Sequence, residues 1–156
     1  MKSFKDFLQL DEAMRWGKAG AGLIVHCGKN FLWTQRSIYV MEPMTWSLTI
    51  GGKVDDADSN LVEAAKREFL EETSYRGTLK VSTSPFYVHS EEGFTYSSFL
   101  AEVKEEFELP PYSNKREQGQ WEIYDWSWEP SSARFPSVHP GTKPIIAKLK
   151  QAKDFK

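Results

Sequence analysis

With a single cysteine, Cys27, the chain cannot build an internal disulfide framework. No apolar run approaches the roughly 18 residues that a membrane-crossing helix needs. The first residues also lack the apolar core of a secretory leader, so a cytoplasmic protein with no membrane partner is expected. Neither sign of charge dominates: 20 Lys and Arg stand against 22 Asp and Glu, a net charge of −2. That balance withholds the basic field by which long nucleic acid is held. A polyphosphate partner would have to be gripped by local Arg or Lys, or by a metal ion. Repeats, low-complexity tracts and linker-like stretches are missing too. The 156 residues are therefore read as one domain, long enough to bury a core.

What the chain does have is concentrated between Gly51 and Gly77, GGKVDDADSNLVEAAKREFLEETSYRG. The expected order is a glycine loop, an acidic turn and an amphipathic helix. Leu61, Ala64, Ala65, Phe69 and Thr73 recur at spacings of three and four, with Leu70 widening the stripe, so this face should dock on a sheet. Asp58, Ser59 or Asn60 supplies the N-cap, and Glu63 favours the helix dipole. Glu68, Glu71 and Glu72 stand at i, i+3 and i+4, on one helical face. Like charges so placed cost an isolated helix roughly 0.2–0.5 kcal/mol per pair. Two readings stay open on spacing alone. One is a hard divalent cation such as Mg²⁺ or Mn²⁺, which takes oxygen ligands. The other is a solvated acidic face with Arg67–Glu71 as an ordinary i,i+4 pair. Gly51 and Gly52 would let the backbone approach an ion or a phosphate closely. The turn Asp56-Ala57-Asp58-Ser59-Asn60 imitates the start of a calcium-binding loop. Leu61 and Arg67 stand where that loop needs Gly and Glu, which excludes it.

This stretch resembles the Nudix box, G-x5-E-x7-R-E-U-x-E-E-x-G-U, in which U is a bulky apolar residue. Arg67, Glu68, Phe69, Glu71 and Glu72 match R-E-U-x-E-E without a gap. Gly52 matches the leading glycine if one residue is inserted between it and Arg67. The earlier glutamate then falls on Asp58, or is missing with Ser59 in its place. Ser74 replaces the late glycine and Tyr75 holds the last apolar position. These departures touch the loop and the helix end, and spare the carboxylates.

The rest of the chain supports a topology of the same kind, from Ala19 to Lys150. Phe4, Phe7, Leu8 and Met14 are spaced for a short helix, an extension over 1–18. Ala19–Cys27 reads as a strand, turning at Gly28-Lys29-Asn30 into Phe31–Arg36. His26, alone in that apolar strand, reads as a packing or surface residue. Trp46–Ile50 leads into the glycines. Thr78–His89 and Phe94–Val103 form a hairpin about Glu91-Glu92-Gly93, with Pro85 marking a bulge or an edge. Trp121–Trp128 is a third late strand. A helix over 143–155 closes the chain, with Thr142 as N-cap and Pro144 in its first turn.

The resemblance implies an α/β fold, an α/β/α sandwich around a mixed β-sheet with the box helix packed on one side. It implies Mg²⁺-dependent hydrolysis, with Mn²⁺ as a substitute, of the pyrophosphate linkage in a nucleoside diphosphate joined to another group. The partner is then a small molecule, and a homodimer is allowed. Metal would be held by the Gly52 carbonyl and by Glu68, Glu71 and Glu72. Arg67 would orient a box glutamate. The proton of the attacking water would go to Glu71 or Glu68, or to Glu117 or Glu122, each of which stands four residues before a tryptophan. Arg36 falls where the family often carries a basic residue facing substrate phosphates; a plain surface arginine is the other reading. Phe86 and Tyr96, with Tyr87, Phe94 and Phe135, are the aromatics able to stack a base. The alternative is a non-catalytic Nudix-like module that binds a nucleotide or a protein, and the intact core carboxylates count against it. Oxidised nucleoside triphosphates, ADP-ribose, NADH, dinucleoside polyphosphates and capped RNA ends all remain open as substrates.

Overall fold

The first apolar run becomes β1 (Ala19–Cys27), a strand buried almost end to end. A strand without polar alternation must be covered on both faces, and the sheet is hung on this one. The computed structural model describes residues 19–38, 40–110 and 122–155; the expected N-terminal helix, Glu117 and Trp121 lie outside the described residues. After β1 the chain turns at Gly28, whose φ of 58° is left-handed, into β2 (Asn30–Arg36). Then come β3 (Trp46–Ser47), β4 (Thr49–Lys53), β5 (Lys80–Val81), β6 (Tyr87–Glu91), β7 (Phe94–Glu102) and β8 (Ile123–Pro130). All eight join one mixed sheet. β1 runs parallel to β7 along its length and antiparallel to β4 over Gly20–Ile24, then meets β2 at His26 and Cys27. β2 carries β3 and β8, while β7 carries β5 and β6, all antiparallel.

Helix α1 (Leu61–Thr73) and helix α2 (Lys143–Gln151) cover opposite faces. Alternation along β1 sorts the side chains between them. Ala21, Leu23 and Val25 share a core with Ala64, Ala65 and Phe69 of α1, and Ile24 shares one with Ile145 and Leu149 of α2. This is the sandwich that the resemblance implies, with the box helix on one side. Among the described residues no helix is long and apolar enough to cross a membrane.

Several local expectations are corrected. Gly51 and Gly52 lie in β4, paired with Gly22 and Ala21, and not in a loop. A Cβ at Gly51 would come within 2.1 Å of the Ala21 carbonyl oxygen, so glycine serves close strand approach there, not turning. Leu61 and Leu70 are exposed, because the docking stripe narrows to Ala64, Ala65, Phe69 and Thr73. The strand expected over 78–89 is broken between Val81 and Tyr87, a gap that contains Pro85. The last strand starts and ends two residues later than expected. The closing helix stops at Gln151, where Ala152 turns extended. A short 3-10 turn, Lys153–Phe155, then sets Phe155 against Phe31 and His26, with ring centres 5.2 and 4.9 Å away. Thr142 precedes the helix without capping it: its hydroxyl accepts from the Leu48 N–H at 3.3 Å and donates to Ser47 Oγ at 3.1 Å.

Candidate active site

Of the three candidate caps for α1, Asn60 takes the role, its Oδ1 accepting from the Glu63 N–H at 2.9 Å. That leaves Asp58 for other work. Its carboxylate accepts from Nε and Nη2 of Arg67 at 3.0 Å each, a two-pronged charged contact, and from the Asp55 N–H at 2.8 Å. The guanidinium, helped by that N–H, holds the Asp58 carboxyl below the usual carboxylate range. The shorter side chain thus meets Arg67 from one residue further upstream, which is where the inserted residue puts it. Ser59 is not needed for this.

Arg67 binds far more than one partner. Nη1 donates to Glu68 Oε1 at 3.0 Å and to Glu71 Oε1 at 3.2 Å, and Nη2 donates to the Lys53 carbonyl at 2.8 Å. Asp55 stands 3.4 Å away. The hydrogen bond to Asp58 leads the contacts that push the Arg67 pKa still higher, so Arg67 is a permanent cation. An ordinary i,i+4 pair is too small a description. Arg67 ties the end of β4, the acidic turn and two box glutamates together.

Glu68 is the most covered of the box glutamates bonded to Arg67, its side chain 15% exposed against 57% for Glu71. Its carboxyl lies on Gly52: a Cβ there would sit 2.6 Å from the Glu68 Cδ. Burial pushes the Glu68 pKa up to about 7, against the pull of Arg67 and with the charges of Glu71 and Glu122 adding to it. Glu72, half-buried, is close enough to act on the Tyr96 hydroxyl, as are Glu68 and Glu122. Glu122 arrives just before β8, its carbonyl accepting from the Ser37 N–H at 2.9 Å. Pairing of β8 with β2 therefore brings Glu122 to the box from far along the chain, while Glu117 lies outside the described residues.

Among the described residues no three Asp, Glu, His or Cys side chains form a ready-made set of metal ligands. Glu68 and Glu71 converge on Arg67. The donor chemistry nevertheless fits a hard dication, whose charge would offset the desolvation and like charge that raise the Glu68 pKa.

The other expected residues sort themselves by face. Arg36 donates from Nε to the Met41 carbonyl at 2.6 Å, and its charge acts on both Tyr96 and His139. Tyr96 stands on the α2 side of the sheet, opposite Gly20 on β1. Phe86 packs in the α2-side core under Lys148, whose Nζ donates to the Phe86 carbonyl at 2.6 Å and lies 5.0 Å from its ring centre. Phe135 is stacked on Trp46 at 4.3 Å and lies 4.8 Å from Trp33. Both rings are thus occupied with packing. His139 was not singled out by any local signal. Burial, helped by Arg36, lowers its pKa to about 4, and its Nδ1 accepts from the Gly141 N–H at 2.9 Å. Near neutral pH it is an uncharged ring with its proton on Nε2.

No curated protein matches the chain. The fold is similar to a crystal structure of an Ap4A hydrolase from C. elegans in a binary complex, with a TM-score of 0.62 and 20% identity over 85% of this chain and 96% of that one. It is similar to a MutT NUDIX hydrolase from Burkholderia pseudomallei, with a TM-score of 0.56 and 18% identity over 85% and 97% of the two chains. It is also similar to the dihydroneopterin triphosphate pyrophosphohydrolase of E. coli, with a TM-score of 0.58 and 15% identity over 84% and 93%. At such identities the likeness is one of fold. The NUDIX domain model, by contrast, matches residues 17–149, from just before β1 to nearly the end of α2, and on that match the chain belongs to the NUDIX domain family, the Nudix hydrolases.

Proposed function

We propose that the chain hydrolyses the pyrophosphate linkage of a nucleoside diphosphate joined to another group, in a reaction that depends on Mg²⁺ or Mn²⁺. One observation carries this reading: the Glu68 carboxyl is pressed on Gly52 with its pKa raised to about 7 among further glutamates. Such a site gains from a dication and loses without one. Glu68, Glu71, Glu72 and the Gly52 carbonyl are the residues that would hold the ion. When bound, the ion neutralises phosphate charge and lowers the pKa of water.

The remaining work falls to the chain. Arg67, anchored by Asp58, orients Glu68 and Glu71. Arg36, near enough for its charge to act on Tyr96, offers that charge to the substrate phosphates. Water attacks one phosphorus, the anhydride P–O bond breaks, and the water proton passes to a glutamate. Glu122 reaches the box from outside and is one acceptor; Glu71 and Glu68 are the others. Two similar folds are named for Ap4A and for dihydroneopterin triphosphate, so both compounds belong among the substrates tried, with 8-oxo-dGTP, ADP-ribose, NADH and a capped oligonucleotide. Turnover of one class that needs Mg²⁺ and stops with chelator is the expected result. Metal-binding protein that turns over none of them would favour the binding module instead.

A further inference from the structure

We infer that Tyr96 is a positioning residue for the glycine edge of β4, its hydroxyl seating Gly51 from one face of the sheet while the Glu68 carboxyl bears on Gly52 from the other. The inference rests on the proposed role of Glu68 and Gly52 in holding metal, and adds a residue that the box pattern does not contain.

The need for such a residue follows from the pairing. Among the named strands, β4 pairs only with β1, so its outer edge has no strand to fix it. Gly51 and Gly52 bring no side chains that could anchor them in a core. Register then decides what can reach them. Tyr96 stands on β7 opposite Gly20 of β1, and Gly22 of β1 stands opposite Gly51 of β4. The Tyr96 side chain crosses over β1 to arrive at β4. A Cβ at Gly22 would lie 2.4 Å from Tyr96 Oη, and so would a Cβ at Gly51. The hydroxyl oxygen itself, not the ring, occupies the space that the two missing side chains leave. Thr49 closes the seat from the side, its Cγ2 standing 2.6 Å from the same Gly22 Cβ position. One residue along β4, a Cβ at Gly52 would meet Glu68. The Gly51–Gly52 segment is thereby held from both faces at the point where the Glu68 carboxyl bears on Gly52.

The test is Mn²⁺ binding to the full chain, followed by the free-ion electron paramagnetic resonance signal, together with steady-state turnover. Wild type, Tyr96→Phe and Glu72→Gln are compared. The expected result is a folded Tyr96→Phe protein with Mn²⁺ affinity and kcat each reduced about tenfold, the order seen when a metal ligand loses its support, and an unchanged KM for the nucleotide. If Tyr96→Phe binds Mn²⁺ as wild type does while Glu72→Gln does not, the positioning role is wrong and the metal site stands. If Glu72→Gln also binds as wild type does, the metal site is wrong and the inference falls with it. A raised KM with unchanged kcat would make Tyr96 a substrate contact and overturn the inference. Should Tyr96→Phe fail to fold, Gly22→Ala crowds the same seat, its methyl meeting Tyr96 Oη at 2.4 Å and Thr49 Cγ2 at 2.6 Å; reduced Mn²⁺ affinity is expected, and wild-type affinity in the folded variant would overturn the inference.

Discussion

The two faces of the sheet are built from the same strands by different means. The α1 face joins a core of aliphatic side chains and rings, Phe69, Tyr75, Phe107 and Trp128 among them, to a knot of charge, Arg67 with Asp58, Glu68 and Glu71, whose members all lie between positions 58 and 71. The α2 face is packed with aromatic rings, and its contacts join remote segments: Trp33 with Phe135, Trp46 with Phe135, Phe31 with Phe155. Local spacing therefore specifies the charged knot of the chemical, α1 face, and tertiary packing specifies the rings of the other. Substitutions in the knot should disturb chemistry while the fold survives, and substitutions among the rings Phe31, Trp33, Trp46, Phe135 and Phe155 should do the reverse.

Gly52→Ala should give the largest effect on the chemical face. Its methyl would sit 2.6 Å from the end of the Glu68 side chain, which must shift away from Arg67 to admit it. The expected result is a folded protein with turnover lowered about 100-fold or more, read by steady-state kinetics beside circular dichroism. On the aromatic face, Trp33→Ala removes a ring with 0% exposure. It should cost about 3–5 kcal/mol in chemical denaturation, while Mn²⁺ affinity of the folded protein stays as in wild type. A variant that changed both would break the comparison.

Acidity sharpens it further. Burial raises the Glu68 pKa from the ordinary 4.5 to about 7, so without metal the folded chain binds this proton more tightly than the unfolded chain does. That contribution, on the order of 2–3 kcal/mol, is complete below pH 4.5 and is lost as pH rises through about 7. Denaturation of metal-free protein across that window should show the loss, and Glu68→Gln should flatten it. The smallest effect belongs to Ser74, which ends α1 in a left-handed conformation with φ 59°, its N–H donating to the Leu70 carbonyl at 2.8 Å. Ser74→Gly should stabilise the chain by about 0.5–1 kcal/mol in thermal unfolding, since glycine adopts that conformation freely.

Ser74 also shows what a sequence pattern carries. Its place after R-E-F-L-E-E marked where the helix ends, and the helix does end there. The carboxylate spacing, β1 and the strand nature of Phe94–Val103 were likewise legible, because each is written in neighbouring residues. The glycine pair was not. A sequence records that Gly51 and Gly52 lack side chains, but not that the Ala21 carbonyl, Tyr96 and Glu68 approach them. The choice of Asn60 over Asp58 as cap was hidden for a similar reason: both can cap, and only the position of Arg67 draws Asp58 away. Leu61 and Leu70 fit a helical stripe on paper, yet α1 buries only Ala64, Ala65, Phe69 and Thr73 and leaves both leucines exposed. Glu122 was reached only through the family resemblance, and its meeting with Glu68 depends on β8; His139 depends on the turn before α2 being brought to Arg36. No spacing rule joins them to Glu68 or Arg36.

The central claim is that the box carboxylates hold a metal ion on which phosphoanhydride hydrolysis depends. Its most direct test is turnover of the best nucleotide substrate as a function of Mg²⁺, in wild type and in Glu72→Gln. The account predicts saturable dependence on Mg²⁺ in wild type, no turnover with chelator, and loss of most turnover in a Glu72→Gln protein that remains folded. Turnover that persists in chelator, or that Glu72→Gln leaves unchanged, would contradict it.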